Sequence, residues 1–337
     1  MSIESSQTAT EVETIQHLPR IALLAVGGTI AGSAASSTNT TDYKIGSIGA
    51  QDLIAAVPEL TEIADVTGEQ IANVPSSDVG SEVLLKLAKT ISAKLADPQV
   101  KGVVVTHGTD TLAESAFFID LTVKITKPVV FVGAMRPASA ISADGPSNLV
   151  KAVNLAASDD AIGRGTLLTL NDRIGSAFYI NKTHSTALDT FRADEQGYLG
   201  AYINARPRFW YAPATPIGKP QFDVSGLTSL PKVAILYTHQ DSDDALIDAV
   251  IAGGAKGIVI NASGHGSVAT STKQRIRELE QQGFPVIRAT RTNNGIVADK
   301  PEGIGAGVYS AAKARWLLSL ALATGASIEQ IRDYFRA

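Results

Sequence analysis

Two threonines that follow glycine are the residues best suited to chemistry in this sequence. Thr29 ends the segment G-G-T, and Thr109 lies in the segment H-G-T-D, each after a short apolar run. A hydroxyl nucleophile needs a base and donors for an oxyanion, and glycine-rich strand ends expose backbone N–H groups that can donate. Asp110 offers a carboxylate, and Lys182 could act as a base if desolvated or charge-paired. The pattern favours a hydrolase with a hydroxyl nucleophile, although a threonine after glycine is also typical of a plain turn.

The elements that must position these residues are predicted to be strands and helices in alternation. Apolar runs predict buried strands at 21–26, 71–74, 102–105, 128–132, 165–170, 233–237, 257–260 and 285–290. Segments with helical periodicity or helical length lie between them, at 51–60, 84–95, 112–123, 245–252 and 270–282, and around 314–321. The polar stretch 142–148 predicts the cap of a further helix after the strand at 128–132. This order predicts an α/β protein, with a larger N-terminal, mostly parallel sheet flanked by helices and a smaller C-terminal α/β domain. Ligands bind outside the carboxyl ends of such strands, where Thr29 and Thr109 would lie.

Changes in composition suggest the boundaries of these domains. Residues 1–19 are polar and predict a disordered tail, 20–212 the N-terminal catalytic domain, 213–230 a linker, and 231–337 the C-terminal domain. The stretch 33–43 is built almost entirely from small polar residues and alanine, so it predicts a long loop directly after Thr29. We interpret it as a lid that carries Tyr43 over the site. An exposed loop with one aromatic anchor is the alternative.

Composition excludes several classes of function. The formal net charge is -4 and no basic run appears, which argues against a nucleic-acid or anionic-membrane partner. The chain has no cysteine, so disulfides and thiolate chemistry are excluded. The longest apolar runs are far shorter than the roughly 20 residues that span a bilayer. Because the N-terminus lacks the apolar core of a signal peptide, we expect a cytoplasmic protein, or a periplasmic one if the sequence is a mature form.

Other motifs give weaker signals. The phosphate-binding patterns G-x-G-x-x-G and G-x-x-x-x-G-K-[ST] are absent, and G-H-G-S at 264–267 indicates a phosphate site only weakly. His239 with Asp241, Asp243 and Asp244 could suggest metal ligands, but a polar cap for the helix at 245 is the favoured interpretation.

The segments around the two threonines resemble a known family. A-V-G-G-T-I-A-G at 25–32 and T-H-G-T-D-T at 106–111 are similar to the two signatures of bacterial L-asparaginases, in particular the type II, glutaminase-asparaginase group. The resemblance continues through G-A-M-R-P at 133–137, S-A-D-G-P at 142–146 and N-D-R-I-G-S-A at 171–177, and covers about residues 19–337. It implies hydrolysis of the side-chain amide of L-asparagine, and of L-glutamine as a second substrate, with no metal and no organic cofactor.

The resemblance also implies the roles of particular residues. Thr29 is the nucleophile, and Tyr43 in the lid assists it. Thr109, Asp110 and Lys182 form a second hydroxyl–acid–lysine set, in which Lys182 helps to move protons. Asp110 also pairs with the α-ammonium group of the substrate.

Further residues are implied in substrate binding. Ser76 binds the α-carboxylate, and Ser77 and Ala134 lie beside it. The family forms a homotetramer, a dimer of intimate dimers, in which a glutamate of the neighbouring subunit, aligned with Glu302, completes the amino-group site. His265 could contact substrate from the same neighbour.

The sequence departs from the family pattern at three places. Ser77 replaces a Gln or Glu that contacts the α-amino group, so we expect weaker substrate binding or altered preference. His265 stands where relatives have Asn or Ala, and the segment that carries Glu302 is short. Two alternatives remain open, a non-catalytic α/β protein that binds amino acids and a cytoplasmic, type I-like regulatory asparaginase.

Overall fold

The structure is a computed structural model that describes residues 17–32, 36–38, 49–292 and 294–336. Tyr43 and most of the predicted lid lie outside the described residues, as does the predicted tail up to residue 16.

The described residues form strands and helices that alternate through most of the chain. The strands are β1 (Arg20–Ala25), β2 (Asp65–Gln70), β3 (Val100–Thr106), β4 (Val129–Val132), β5 (Thr166–Leu170), β6 (Arg173–Ser176), β7 (Asn181–Lys182), β8 (Phe191–Arg192), β9 (Gly200–Ile203), β10 (Arg206–Phe209), β11 (Val233–Tyr237), β12 (Gly257–Ala262), β13 (Val286–Thr290) and β14 (Ile304–Gly305). The α-helices are α1 (Ala50–Ala55), α2 (Ser81–Ala96), α3 (Leu112–Thr122), α4 (Gly145–Ala157), α5 (Ala245–Ala252), α6 (Thr270–Gln281), α7 (Ala311–Ala323) and α8 (Ile328–Tyr334).

The larger sheet has eight strands in the order β10-β9-β6-β5-β4-β3-β1-β2. Strands β2, β1, β3, β4 and β5 pair in parallel, whereas β6, β9 and β10 are antiparallel. Its central strands are continuous apolar runs because helices cover both faces: α2 and α3 lie on one face and α4 on the other. The predicted N-terminal α/β architecture is confirmed.

The smaller sheet has four parallel strands in the order β11-β12-β13-β14. Helices α5 and α6 pack on one face through Ile247, Ile276 and Leu279, and α7 covers the other face. The predicted smaller C-terminal α/β unit is therefore confirmed as well.

Helix α7 joins the two sheets into one apolar core. Its Trp316 ring lies 5.4 Å from the Phe118 ring of α3, centroid to centroid. Tyr309, just before α7, lies 5.6 Å from Phe117 in the same way. In the segment 213–230, Phe222 and Val224 are buried in the same apolar cluster.

One predicted strand was wrong. The apolar run 71–74 was expected to pair in the sheet, but β2 occupies Asp65–Gln70 and pairs with β1. Strand β2 is an edge strand whose polar side chains are largely exposed, so it carries no apolar run. Ile71 is buried just past its end, where its N–H donates to the Ala25 carbonyl at 2.8 Å. Strand β14 and helix α8 were not predicted. For β14 the reason is that a strand of two residues leaves no periodic pattern.

Within the part of the chain that the structure describes, none of the helices is long and apolar enough to cross a membrane.

Candidate active site

Three turns meet at the carboxyl ends of β1 and β3, and glycines allow them to touch. A Cβ atom on Gly28 would lie 2.3 Å from the Cα of Gly108. A Cβ atom on Gly108 would lie 2.8 Å from the Cβ of Ser76. Since real Cβ atoms do not come this close to backbone, only glycine lets the turns that carry Thr29, Thr109 and Ser76 pack against one another.

Thr29 follows β1 through a sharp turn. Gly27 and Gly28 adopt φ values of +118° and +96°, a region that favours glycine. Thr29 then begins a short 3₁₀ helix, Thr29–Ala31, and is 5% exposed. The turn thus places a nearly buried hydroxyl at the end of the sheet, as the apolar run followed by G-G-T predicts.

Thr109, Asp110 and Lys182 form one hydrogen-bonded group. The Lys182 ammonium donates to Thr109 Oγ1 at 3.0 Å and to Asp110 Oδ1 at 2.7 Å. The side chain of Lys182 is 15% exposed, whereas that of Asp110 is 77% exposed. The carboxylate can therefore meet a second cation from solvent while it pairs with Lys182. The structure brings these three side chains together from positions more than 70 residues apart.

His107 is a buried residue of this site for which the sequence predicted no role. It is fully buried beneath the Thr109 turn, with Nδ1 2.8 Å from the Gly108 carbonyl and Nε2 2.9 Å from Ser115 Oγ. Burial lowers the pKa of His107 to about 4, and the hydrogen bond to Gly108 opposes this shift only in part. The imidazole is therefore neutral near pH 7. Because a carbonyl can only accept, Nδ1 carries the proton, and Nε2 accepts from the Ser115 hydroxyl.

The turn after β4 packs against the same site. A Cβ atom on Gly133 would lie 3.1 Å from Thr109 Cγ2. Ala134 is fully buried and belongs to a small cluster with Ile30 and Leu53, which ties it to the Thr29 turn.

Asp144 and Asn148 hold this turn, a role that was not predicted from the sequence. The Asp144 carboxylate accepts from the N–H groups of Met135 at 3.0 Å and Arg136 at 2.9 Å. The Asn148 amide donates to the Gly133 carbonyl at 3.1 Å. Asp144 stands at the N-cap of α4, where its carboxylate accepts no capping bond from the helix backbone but does accept from the Asn148 side-chain amide at 3.0 Å. The polar cluster before α4 indicated only a cap, so the contact across the turn was not visible in the sequence.

Ser76 lies beside this group, and Ser77 follows it in a short 3₁₀ helix. Ser76 is 6% exposed, and its carbonyl accepts from Thr111 Oγ1 at 2.7 Å. The Ser77 hydroxyl lies 3.5 Å from Asp78 Oδ1, so its contact is local.

His265 and Glu302 lie in the C-terminal half, with contacts to residues of that half. His265 Nε2 accepts from the Ala298 N–H at 3.2 Å. Glu302 forms an ion pair with Arg277 of α6. Among the residues that the structure describes, neither is brought into contact with Thr29, Thr109 or Lys182 within one chain.

The polar run that begins at His239 bonds the start of α5, as the helix-cap interpretation predicts, although the N-cap residue Asp244 makes no such bond itself. Asp243 Oδ1 accepts from the Ala245 N–H at 2.8 Å, at the start of α5. The described side chains include no group of three or more His, Asp or Glu residues placed to hold a metal ion.

A cavity of about 280 Å³ opens beside the Asp110–Lys182 pair. Its other walls include Asn261, Thr290 and Arg291 of the C-terminal half. The ion pair is therefore accessible from the cleft between the two sheets.

The chain matches known proteins over nearly its whole length. Residues 20–215 match the family model described as "Asparaginase, N-terminal", and residues 232–335 match "Glutaminase/Asparaginase C-terminal domain". The probable L-asparaginase 3 of Schizosaccharomyces pombe is 46% identical over 332 residues, which are 98% of this chain and 92% of that protein. L-asparaginase 2 of Bacillus subtilis is 46% identical over 341 residues, covering 98% and 89% of the two chains.

A solved structure has the same fold. The crystal structure of a probable cytoplasmic L-asparaginase from Campylobacter jejuni superposes with a TM-score of 0.89 at 43% identity, over 94% of this chain and 98% of that chain. Together with the two domain matches and the paired threonine turns, this likeness shows that the chain belongs to the asparaginase family.

Proposed function

We propose that this protein hydrolyses the side-chain amide of L-asparagine to L-aspartate and ammonia, with L-glutamine as a second substrate. The observation that carries the proposal is the Lys182 ammonium, which bonds both Thr109 Oγ1 and Asp110 Oδ1 beside the turn of Thr29. The names of the relatives support the same activity.

Thr29 is the proposed nucleophile. Its Oγ attacks the amide carbon, the carbon–nitrogen bond breaks, and ammonia leaves with the proton that Thr29 loses. Water then adds to the resulting ester, aspartate is released, and Thr29 regains a proton. Backbone N–H groups at glycine-rich strand ends supply donors for the oxyanion, a contribution of about 10²–10³ in rate for each donor in comparable enzymes.

Thr109 and Lys182 form the proposed proton relay. Because Lys182 donates to Thr109 Oγ1, the hydrogen of the Thr109 hydroxyl points away from Lys182 and can reach the leaving nitrogen. The proton from Thr29 replaces it through the same pair. General acid–base assistance of this kind contributes about 10²–10⁴ in rate.

The proposed substrate contacts surround these groups. Asp110, exposed on one side, pairs with the α-ammonium, and the Ser76 hydroxyl binds the α-carboxylate. Ser77 and Ala134 line the same turns. Tyr43 stays a prediction as the residue of the lid.

We also propose the homotetramer, with His265 and Glu302 supplied by a neighbouring subunit. Light scattering should give a mass near four times 35.2 kDa, and a monomer mass would contradict this assembly.

Ammonia release from L-asparagine and L-glutamine, measured side by side, tests the activity. The variant Thr29→Ala should lose at least about 10³-fold in kcat, since the nucleophile is gone. Thr90→Ala is the matched control, because its hydroxyl only bonds the Lys86 carbonyl on α2, and it should retain activity. Full activity in Thr29→Ala would overturn the mechanism, and amino-acid binding without ammonia release would favour a binding protein.

A further inference from the structure

Lys313 on α7 is a buried cation that the proposed reaction does not use. Only 1% of the surface of Lys313 is exposed. The Nζ atom donates to the Phe178 carbonyl at 2.9 Å and to the Ile180 carbonyl at 2.7 Å. The C-terminal half therefore bonds directly to the backbone that leads to Lys182.

The Lys313 amine is buried near an aromatic ring and two carboxylates of α3. Nζ lies 5.5 Å from the centre of the Phe117 ring. Burial lowers the pKa of Lys313 to about 7, while the carboxylates of Asp120 and Glu114 on α3 oppose this shift. A neutral amine still has two N–H groups, so both carbonyl bonds persist whether or not the group is protonated.

The strand that carries Lys182, β7, is short and lies outside the large sheet. Strand β7 has two residues and pairs with β8 in a sheet of two strands, apart from the large sheet. Few ladder bonds therefore fix its position relative to β3, whose end carries Thr109. The anchored carbonyl of Ile180 lies two residues before Lys182.

We propose that Lys313 is a positioning residue, which fixes the backbone at 178–180 and thereby sets the Lys182 ammonium against Thr109 and Asp110. This inference rests on the proposed function, since it acts through the relay lysine. It links the packing of α7 in the C-terminal half to proton transfer in the N-terminal half.

A double-mutant cycle on kcat for L-asparagine tests the inference. Lys313→Met keeps the length of the side chain but removes both donors, and kcat should fall at least about tenfold, since a 1 Å misplacement can cost roughly 100-fold. In a Lys182→Met background the same change should lower the residual kcat by less than about twofold, because the residue through which Lys313 acts is already gone.

Ser319→Ala is the matched control on the same helix. The Ser319 hydroxyl is buried and donates to the Pro231 carbonyl at 2.8 Å, away from Lys182. This variant should retain kcat. Circular dichroism checks that each variant is folded, and Lys313→Gln, which keeps an amide donor on a shorter side chain, enters the same cycle if Lys313→Met does not fold.

The outcomes separate the two proposals. If Lys182→Met keeps full activity, the proposed relay fails. If Lys182→Met is impaired but Lys313→Met is not, or if Lys313→Met lowers kcat equally in both backgrounds, Lys313 has no role through Lys182 and the inference is overturned.

Discussion

His107 shows how a single buried side chain couples the site to pH. The neutral ring links the Gly108 carbonyl to the Ser115 hydroxyl, and it therefore ties the Thr109 turn to α3. A protonated imidazole cannot accept from Ser115. The charge state of this ring thus affects the same turn that holds Thr109.

The stability of the protein should fall in acid because of His107. Its pKa is about 4 when folded, against an ordinary value of 6.5. Between these two pH values the unfolded chain binds more protons than the folded protein does. The free energy of unfolding therefore rises with pH across this window, and the contribution of His107 is lost as pH falls. The shift corresponds to about 3 kcal/mol.

Urea denaturation at pH 4 and pH 7 measures this term. In His107→Gln, which has no titrating ring, the difference between the two pH values should shrink by about 3 kcal/mol. Ser115→Ala removes the hydroxyl partner but leaves the ring buried, so the pH dependence should persist in this control. An unchanged pH dependence in His107→Gln would contradict the assignment.

At the scale of elements, the site depends on how closely strand ends approach. The variant Gly28→Ala should disturb this approach, because its new Cβ would meet the Gly108 backbone at 2.3 Å at a φ of +96°. Gly254→Ala is the matched control, with a φ of +88° and no atom within 4 Å of its Cβ. The control should cost about 1–2 kcal/mol from backbone strain alone.

Gly28→Ala should cost roughly 1–3 kcal/mol more than the control, because the two turns must separate. Since Thr29 follows directly, ammonia release should also fall by about 100-fold in Gly28→Ala. Thermal unfolding and kcat measure the two effects. Equal losses of stability in the two variants would mean that the turns do not need this contact.

The sequence predicted the elements with strong apolar patterns and missed those without them. Strands β1 and β3 and the turns after them were predicted because buried parallel strands are apolar throughout. Strand β2 is polar and exposed at an edge, so its position follows from pairing with β1 alone. Asp144 was visible only as a helix cap, because its partners belong to another turn.

The candidate site was predictable only where its residues belong to local sequence motifs. The turns with Thr29 and Thr109 carry local motifs, but the contact of Lys182 with Thr109 spans 73 residues and was implied by family resemblance. Lys313 gave no signal, because a lysine on a helix is usually exposed. Partners that meet only through tertiary packing leave no local pattern.

At the scale of the whole molecule, the two sheets share one apolar core. The cluster around α7 includes residues of β1 and β3 as well as Val259 and Ile287 of the smaller sheet. The C-terminal half therefore buries one face of its sheet by itself and the other face in this shared core. We expect both halves to unfold together in a single cooperative transition, because unfolding either half would expose the shared core.

The two tryptophans test this expectation, since one is central and the other peripheral. Trp316 is 4% exposed and packs on Phe118, whereas Trp210 is 58% exposed. Trp316→Ala should lower the free energy of unfolding by roughly 3–5 kcal/mol. Trp210→Ala, the matched control, should change it by no more than about 0.5 kcal/mol.

In Trp210→Phe, Trp316 is the remaining tryptophan, and its fluorescence should follow the same urea curve as the far-ultraviolet circular dichroism. Two separated transitions would mean that α7 releases one half before the other, and the shared core would not couple their stabilities.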